Sequence, residues 1–96
     1  MQLGALAIGV ELSAKWSRKL DDFVLRIHQA LASKMYHFFV IATDSPAIQS
    51  RYEAAFKQAV VNRWQENNRG HYQIVEQVEL PPTLSKQLIF KLMQDE

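Results

Sequence analysis

The stretch Tyr36-His37-Phe38-Phe39-Val40-Ile41-Ala42, followed by Thr43-Asp44-Ser45-Pro46, decides how the chain is read. It is a short run of large apolar residues, rich in aromatic and β-branched types. Such a run suits a strand covered on both faces. Asp44 or Ser45 can cap a helix, and proline is pre-shaped for the first helical position. The stretch therefore predicts a buried strand that leads straight into a helix.

Before it, Leu6, Ile8, Val10 and Leu12 alternate with Ala5, Ala7, Gly9 and Glu11. The period is two, with large residues on one face and small ones on the other. This predicts a first strand over Leu3 to Leu12, whose small face would admit a helix or another backbone at close range. A helical reading also exists, because Leu3, Leu6, Ala7 and Val10 fall at helical spacing; Gly9 and the alternation favour the strand. Ser13 can cap a helix that runs to about Ser33, with Trp16, Leu20, Phe23, Val24, Ile27, Ala30 and Leu31 as its apolar stripe. Asp22 and Arg26 stand four apart and can pair on its outer face.

After the opening stretch, Ile48, Tyr52, Ala55, Phe56, Ala59, Val60 and Trp64 recur at helical spacing and predict a second helix. Glu53 and Lys57 are a favourable four-apart pair on it. Asn67-Asn68-Arg69-Gly70 reads as its stop. Tyr72, Ile74, Val78 and Leu80 then alternate with Gln73, Val75, Gln77 and Glu79, a third strand with one wet side and so a sheet edge. Pro81-Pro82 ends it, and Thr83 can cap a last short helix carrying Leu84, Leu88, Ile89 and Leu92.

The expectation is an α/β fold: one compact domain over residues 1–96, β-α-β-α-β-α, with a three-stranded, mainly parallel sheet and helices packed on it. Two strand orders fit. With the first strand central, helices cover both faces. With the second strand central, both long helices share one face, and the other is left for the last helix or another subunit. A three-stranded sheet offers little area, which favours a homodimer through an edge strand or an uncovered face.

Composition removes several function classes. The chain has 96 residues, 48% apolar and 22% charged, and a formal charge of +1, so no strong field draws it to DNA or an anionic membrane. It has no cysteine, which rules out disulfides, thiolate catalysis and cysteine-ligated metal and fits a reducing, cytoplasmic setting. The apolar start lacks a basic lead-in and falls short of the roughly 20 residues a membrane span needs. A soluble protein with no membrane role is expected.

No catalytic constellation is present. His28, His37 and His71 share no metal-ligand spacing, no serine sits in a nucleophile motif, and the neighbouring acids Asp21-Asp22 and Asp95-Glu96 point apart on a helix. No cofactor is implied, and the chain is not expected to be an enzyme.

Three places remain for function. The polar exit Thr43, Asp44, Ser45 lies where open parallel sheets bind ligands and could take a small anion or nucleotide, although helix capping accounts for it equally. The basic group Lys15, Arg18, Lys19 lies near the positive end of a helix dipole, and with Arg26 part of it would lie along one side of that helix. An acidic partner or nucleic acid would offset that cost, although Asp21 and Asp22 dilute it and a solvated face explains it more simply. Leu88, Phe90 and Leu92 belong to a last helix that is apolar most of the way round and could dock on another protein. The functional expectation is a small non-enzymatic protein–protein interaction module: an adaptor, inhibitor or regulatory subunit acting as a homo-oligomer with another protein. Anion binding and weak nucleic-acid binding are the alternatives.

Overall fold

The computed structural model describes residues 6–12, 15 and 17–93, and side chains from residue 8 onward. The order is β1 (Leu6–Val10), α1 (Ser17–Ala32), β2 (Phe38–Thr43), α2 (Pro46–Phe56), β3 (Val60–Glu66), β4 (Tyr72–Glu79), a single 3-10 turn over Leu84–Gln87, and β5 (Leu88–Leu92). The protein is α/β. A three-stranded parallel sheet runs β1-β2-β5, and β3 and β4 form a separate antiparallel pair.

The opening stretch is the central strand. Phe39 pairs with Ala7 on one side and Leu88 on the other, and Ile41 with Gly9 and Phe90. Of the two strand orders, the one with the second strand in the middle is observed. Successive crossovers then step across the sheet in one direction, which places α1 and α2 on the same face. Their rings meet there: Phe23 lies 5.4 Å from Tyr52 and 6.2 Å from Phe56, and Phe56 lies 6.3 Å from Phe90 on β5.

α1 follows its stripe. Leu20, Val24, Leu25, Ile27 and Leu31 are buried, each contributing roughly 1.5–3 kcal/mol on leaving water. It ends with Lys34 in the left-handed conformation (φ 62°), while the Met35 N–H reaches back to the Ala30 carbonyl at 3.1 Å. The expected cap at Ser13 and the stripe position Trp16 lie outside the described residues. Asp22 pairs with Arg18 at 3.5 Å, one turn before the Arg26 expected for it. α2 starts as read: Ser45 accepts from the Ile48 N–H at 3.3 Å, and Pro46 opens the helix.

Four expectations fail downstream. The second helix stops at Phe56, so Ala59, Val60 and Trp64 belong to or border a strand. The β-branched pair Val60-Val61 and the aromatic Trp64 suit a pleated surface better than a helix, and the spacing of Trp64 from Val60 only mimics the helical repeat. Asn67 to Gly70 is a hairpin turn rather than a helix stop. The Asn67 side chain accepts from the N–H groups of Arg69 and His71 at 2.9 and 3.0 Å, and Gly70 takes φ 76°. The strand over Tyr72–Glu79 therefore pairs antiparallel with β3 and lies outside the parallel sheet, and it is exposed on both faces rather than one, Tyr72 and Ile74 included, with Val78 its one half-buried residue. Finally, the expected last helix is the 3-10 turn followed by β5. Leu88, Phe90 and Leu92 carry a period of two as well as a helical spacing, and the free edge of β2 selects the strand.

The register of the hairpin shifts between Arg63 and Trp64, where Val75 of β4 is left without a partner. The Trp64 indole then donates to Asp21 Oδ2 on α1 at 2.8 Å, and the Arg18 guanidinium lies 3.7 Å from the centre of the Tyr72 ring. Val61 and Leu80 from the hairpin join Leu20, Ile41, Tyr52, Leu84 and Leu88 in one hydrophobic cluster.

Candidate interaction surface

At the carboxyl edge of the sheet, Thr43 and Ser45 are engaged by the backbone. Thr43 is fully buried, its Oγ1 accepts from the Ser45 N–H at 3.3 Å, and its carbonyl accepts from Met93 N–H at 2.7 Å. Ser45 caps α2 with its hydroxyl, and its carbonyl accepts from Gln49 N–H at 3.0 Å. Asp44 is the exposed side chain of the three, and its charge opposes an anionic ligand.

Lys15, Arg18, Lys19 and Arg26 do come together. With Asp22 and Phe23 they line one open hollow of about 270 Å³ along α1. Much of this charge is answered within the chain. Lys15 Nζ sits 2.7 Å from Glu11 Oε2 and 5.0 Å from the Phe23 ring centre, and Arg18 faces Asp22 and Tyr72. The Lys15 backbone is held too: its N–H donates to the Tyr52 hydroxyl at 3.1 Å, and its carbonyl accepts from Arg51 Nε at 3.1 Å.

Leu88, Phe90 and Leu92 turn toward the helices. Leu88 is buried, and Phe90 packs on the core through Phe56. The residues between them, Ile89 and Lys91, point the other way and are exposed.

That other side is the largest anomaly of the fold. Ile8, Val40 and Ile89 form one row across β1, β2 and β5, and Val10, Ala42 and Lys91 form the next. Phe38 precedes them on β2. Ile8 is 65% exposed, Val10 57%, Phe38 44% and Ile89 47%, and Leu12, just past β1, is 64% exposed. The helix-facing side of β1 carries Gly9 and Glu11 instead. A strand that sends its small residues to the core and its large apolar ones to solvent inverts the usual arrangement. The large–small alternation at the start of the sequence was the signal for this face. The small side is the one expected to admit a close approach, and Gly9 on it lies against the Phe39 ring.

Among the described residues, no three His, Asp or Glu side chains gather in a metal-binding group, and no helix is long and apolar enough to cross a membrane. Exposed Arg63 and Glu76 pair across the hairpin at 3.1 Å. The Arg63 hydrogen bond, with its charge, holds the Glu76 carboxyl below the ordinary glutamate value, and the same contact raises Arg63. The chain matches no family model, no curated protein and no solved structure.

Proposed function

We propose that this is a small non-enzymatic interaction module, of the adaptor, inhibitor or regulatory-subunit kind, whose partner covers the open face of the β1-β2-β5 sheet. One observation carries the reading: Ile8, Val10, Phe38 and Ile89 are exposed together on a side of the parallel sheet that no element among the described residues covers. Parallel sheets in α/β proteins are normally covered on both faces, and contiguous exposed apolar patches mark association sites. Anion binding at the strand exit has less support, since the Thr43 and Ser45 hydroxyls already serve the backbone. Nucleic-acid binding has less support as well, since Lys15 and Arg18 already face carboxylates. A homodimer is a narrower form of the favoured reading, with a second copy as the covering molecule.

The test replaces Ile8 and Ile89 with aspartate. Both side chains are exposed, so the variant is expected to fold, with an unchanged circular dichroism spectrum. It should lose every stoichiometric partner, including a second copy, that the wild-type chain retains. A partner held equally by both proteins would overturn the reading.

A further inference from the structure

We infer that the hollow along α1 takes an acidic, extended segment of a partner protein, with one carboxylate on Lys19, another on Arg26 and a neutral middle over Phe23. The inference extends the interaction-module reading, but it rests on a different surface from the open sheet face.

Four of the side chains that line this hollow are cations, and the chain answers only two of them. Glu11 takes Lys15 at 2.7 Å, and Asp22 takes Arg18 at 3.5 Å. Lys19 and Arg26 are exposed, and neither forms an ion pair among the described residues. The first turn of α1 holds no acid, so Lys19 also repels the positive end of its own helix. A carboxylate laid beside Lys19 removes that repulsion.

Spacing defines the occupant. Lys19 and Arg26 are seven residues apart on α1, about 10.5 Å along its axis. Phe23 is half-buried and lies on the same side, between them in sequence. A segment in the polyproline conformation has three residues per turn and rises about 3.1 Å per residue. Acids three residues apart on it point the same way at about 9.3 Å, within reach of two long, flexible cations. The two residues between them meet Phe23.

The same spacing excludes the nearer occupants. Asp95 and Glu96 are adjacent in sequence and cannot span the two cations. Glu76 and Glu79 are the acids of this chain that stand three apart. They alternate to opposite faces of β4, and Arg63 already holds Glu76, so a second copy presents no matching stretch. Asp22 lies between Lys19 and Arg26 on the same side of the hollow. A nucleic-acid strand carries charge at every step and would set a phosphate against that carboxylate, whereas a segment with a neutral middle does not.

The experiment measures fluorescence anisotropy of labelled peptides with the full chain at low ionic strength. The probes are Gly-Glu-Pro-Pro-Glu-Gly, its isomer Gly-Pro-Glu-Glu-Pro-Gly, and Gly-Gln-Pro-Pro-Gln-Gly. The first should bind at least three-fold tighter than the isomer and at least ten-fold tighter than the glutamine peptide. Lys19→Gln and Arg26→Gln, both at exposed positions, should each abolish the preference for the first over its isomer. Lys57→Gln removes the same charge from an exposed position elsewhere and should leave that preference unchanged. No binding of the first peptide, equal affinity for the two isomers, or an equal loss in Lys57→Gln would overturn the inference. Tighter binding of a ten-nucleotide thymidine strand would overturn it in favour of nucleic acid. A ten-fold gain on joint Asp95→Asn and Glu96→Gln substitution would overturn it in favour of the chain's own end, and a wild-type dimer that Lys19→Gln splits would do so in favour of a second copy. Ile89→Asp should leave the peptide affinity unchanged, so failure at this hollow and failure at the open sheet face are separately visible.

Discussion

Gly9 lies directly against the ring of Phe39: a Cβ at Gly9 would stand 3.1 Å from Phe39 Cε1 and 3.3 Å from Cζ. The small side of β1 is thus a packing requirement, because β1 approaches β2 where a phenylalanine already fills the space under the helices. Gly9→Ala should be accommodated only by a shift of a few tenths of an ångström in that ring. Gly9→Leu should overpack the site and destabilise the fold by about 1–3 kcal/mol in urea denaturation. A neutral Gly9→Leu would show that Phe39 has free space to move into.

Tyr52 joins three parts of the chain. It is fully buried, packs at a 45° tilt against Phe23 and accepts the Lys15 N–H. Tyr52→Phe keeps the ring and leaves that donor without its acceptor, which should cost about 1–2 kcal/mol. Tyr52→Ala should cost about 3–5 kcal/mol by opening a cavity between the helices. The gap between the two variants in chemical denaturation separates the hydroxyl's contribution from the ring's.

The hairpin is fastened to α1 by the Trp64–Asp21 hydrogen bond. Asp21→Ala should remove a charge-assisted contact and destabilise by about 1–3 kcal/mol. Its effect should be regional. Amide exchange should accelerate in Val60–Glu66 and Tyr72–Glu79 more than in Phe38–Thr43. Uniform acceleration would mean that the hairpin and the parallel sheet open together.

Lys34 occupies a left-handed position at the end of α1 that glycine adopts without steric penalty. Lys34→Gly should stabilise the protein by about 0.5–1 kcal/mol, with Lys34→Val moving the other way. Thermal melting of the three proteins decides the sign.

The Glu76 carboxyl titrates below its ordinary value because Arg63 bonds its ionised form. A depressed carboxylate stabilises the fold above its unfolded pKa of about 4.3, and that contribution fades as pH falls through the lower folded value. The Glu76 side-chain NMR midpoint should rise toward the ordinary value in Arg63→Gln. Added salt should shift it the same way, since both groups are exposed.

Much of this fold was legible where local and tertiary preferences agree. The run Phe38 to Ala42 has no competing helical pattern, and Ser45-Pro46 can do little other than start a helix. The stripe of α1 likewise points one way. The failures fall where one set of residues fits two periods. Val60 and Trp64 are four apart, as on a helix, but the two adjacent β-branched residues and the turn at Asn67 to Gly70 also describe a hairpin. Leu88, Phe90 and Leu92 suit either element. Their choice depends on the open edge of β2, which lies roughly fifty residues earlier in the chain and beyond any local pattern. The candidate surfaces divide the same way. Arg18, Lys19 and Arg26 share a face of α1, so their gathering followed from spacing, and Lys15 joins them from just before the helix. The apolar face of the sheet depended on which of two strand orders the chain takes, and local pattern left both open.

The pairing of Phe39 with Leu88 also sets the tempo of folding. The Val60–Glu79 hairpin closes over a few residues and belongs to the microsecond range of such events. The parallel sheet must instead draw together segments separated by roughly thirty and fifty residues, a slow search by loop-closure entropy. The chain is expected to hold its hairpin and helices before its central strand finds either neighbour. During that interval both edges of Phe38–Thr43 are open to pairing with the wrong strand.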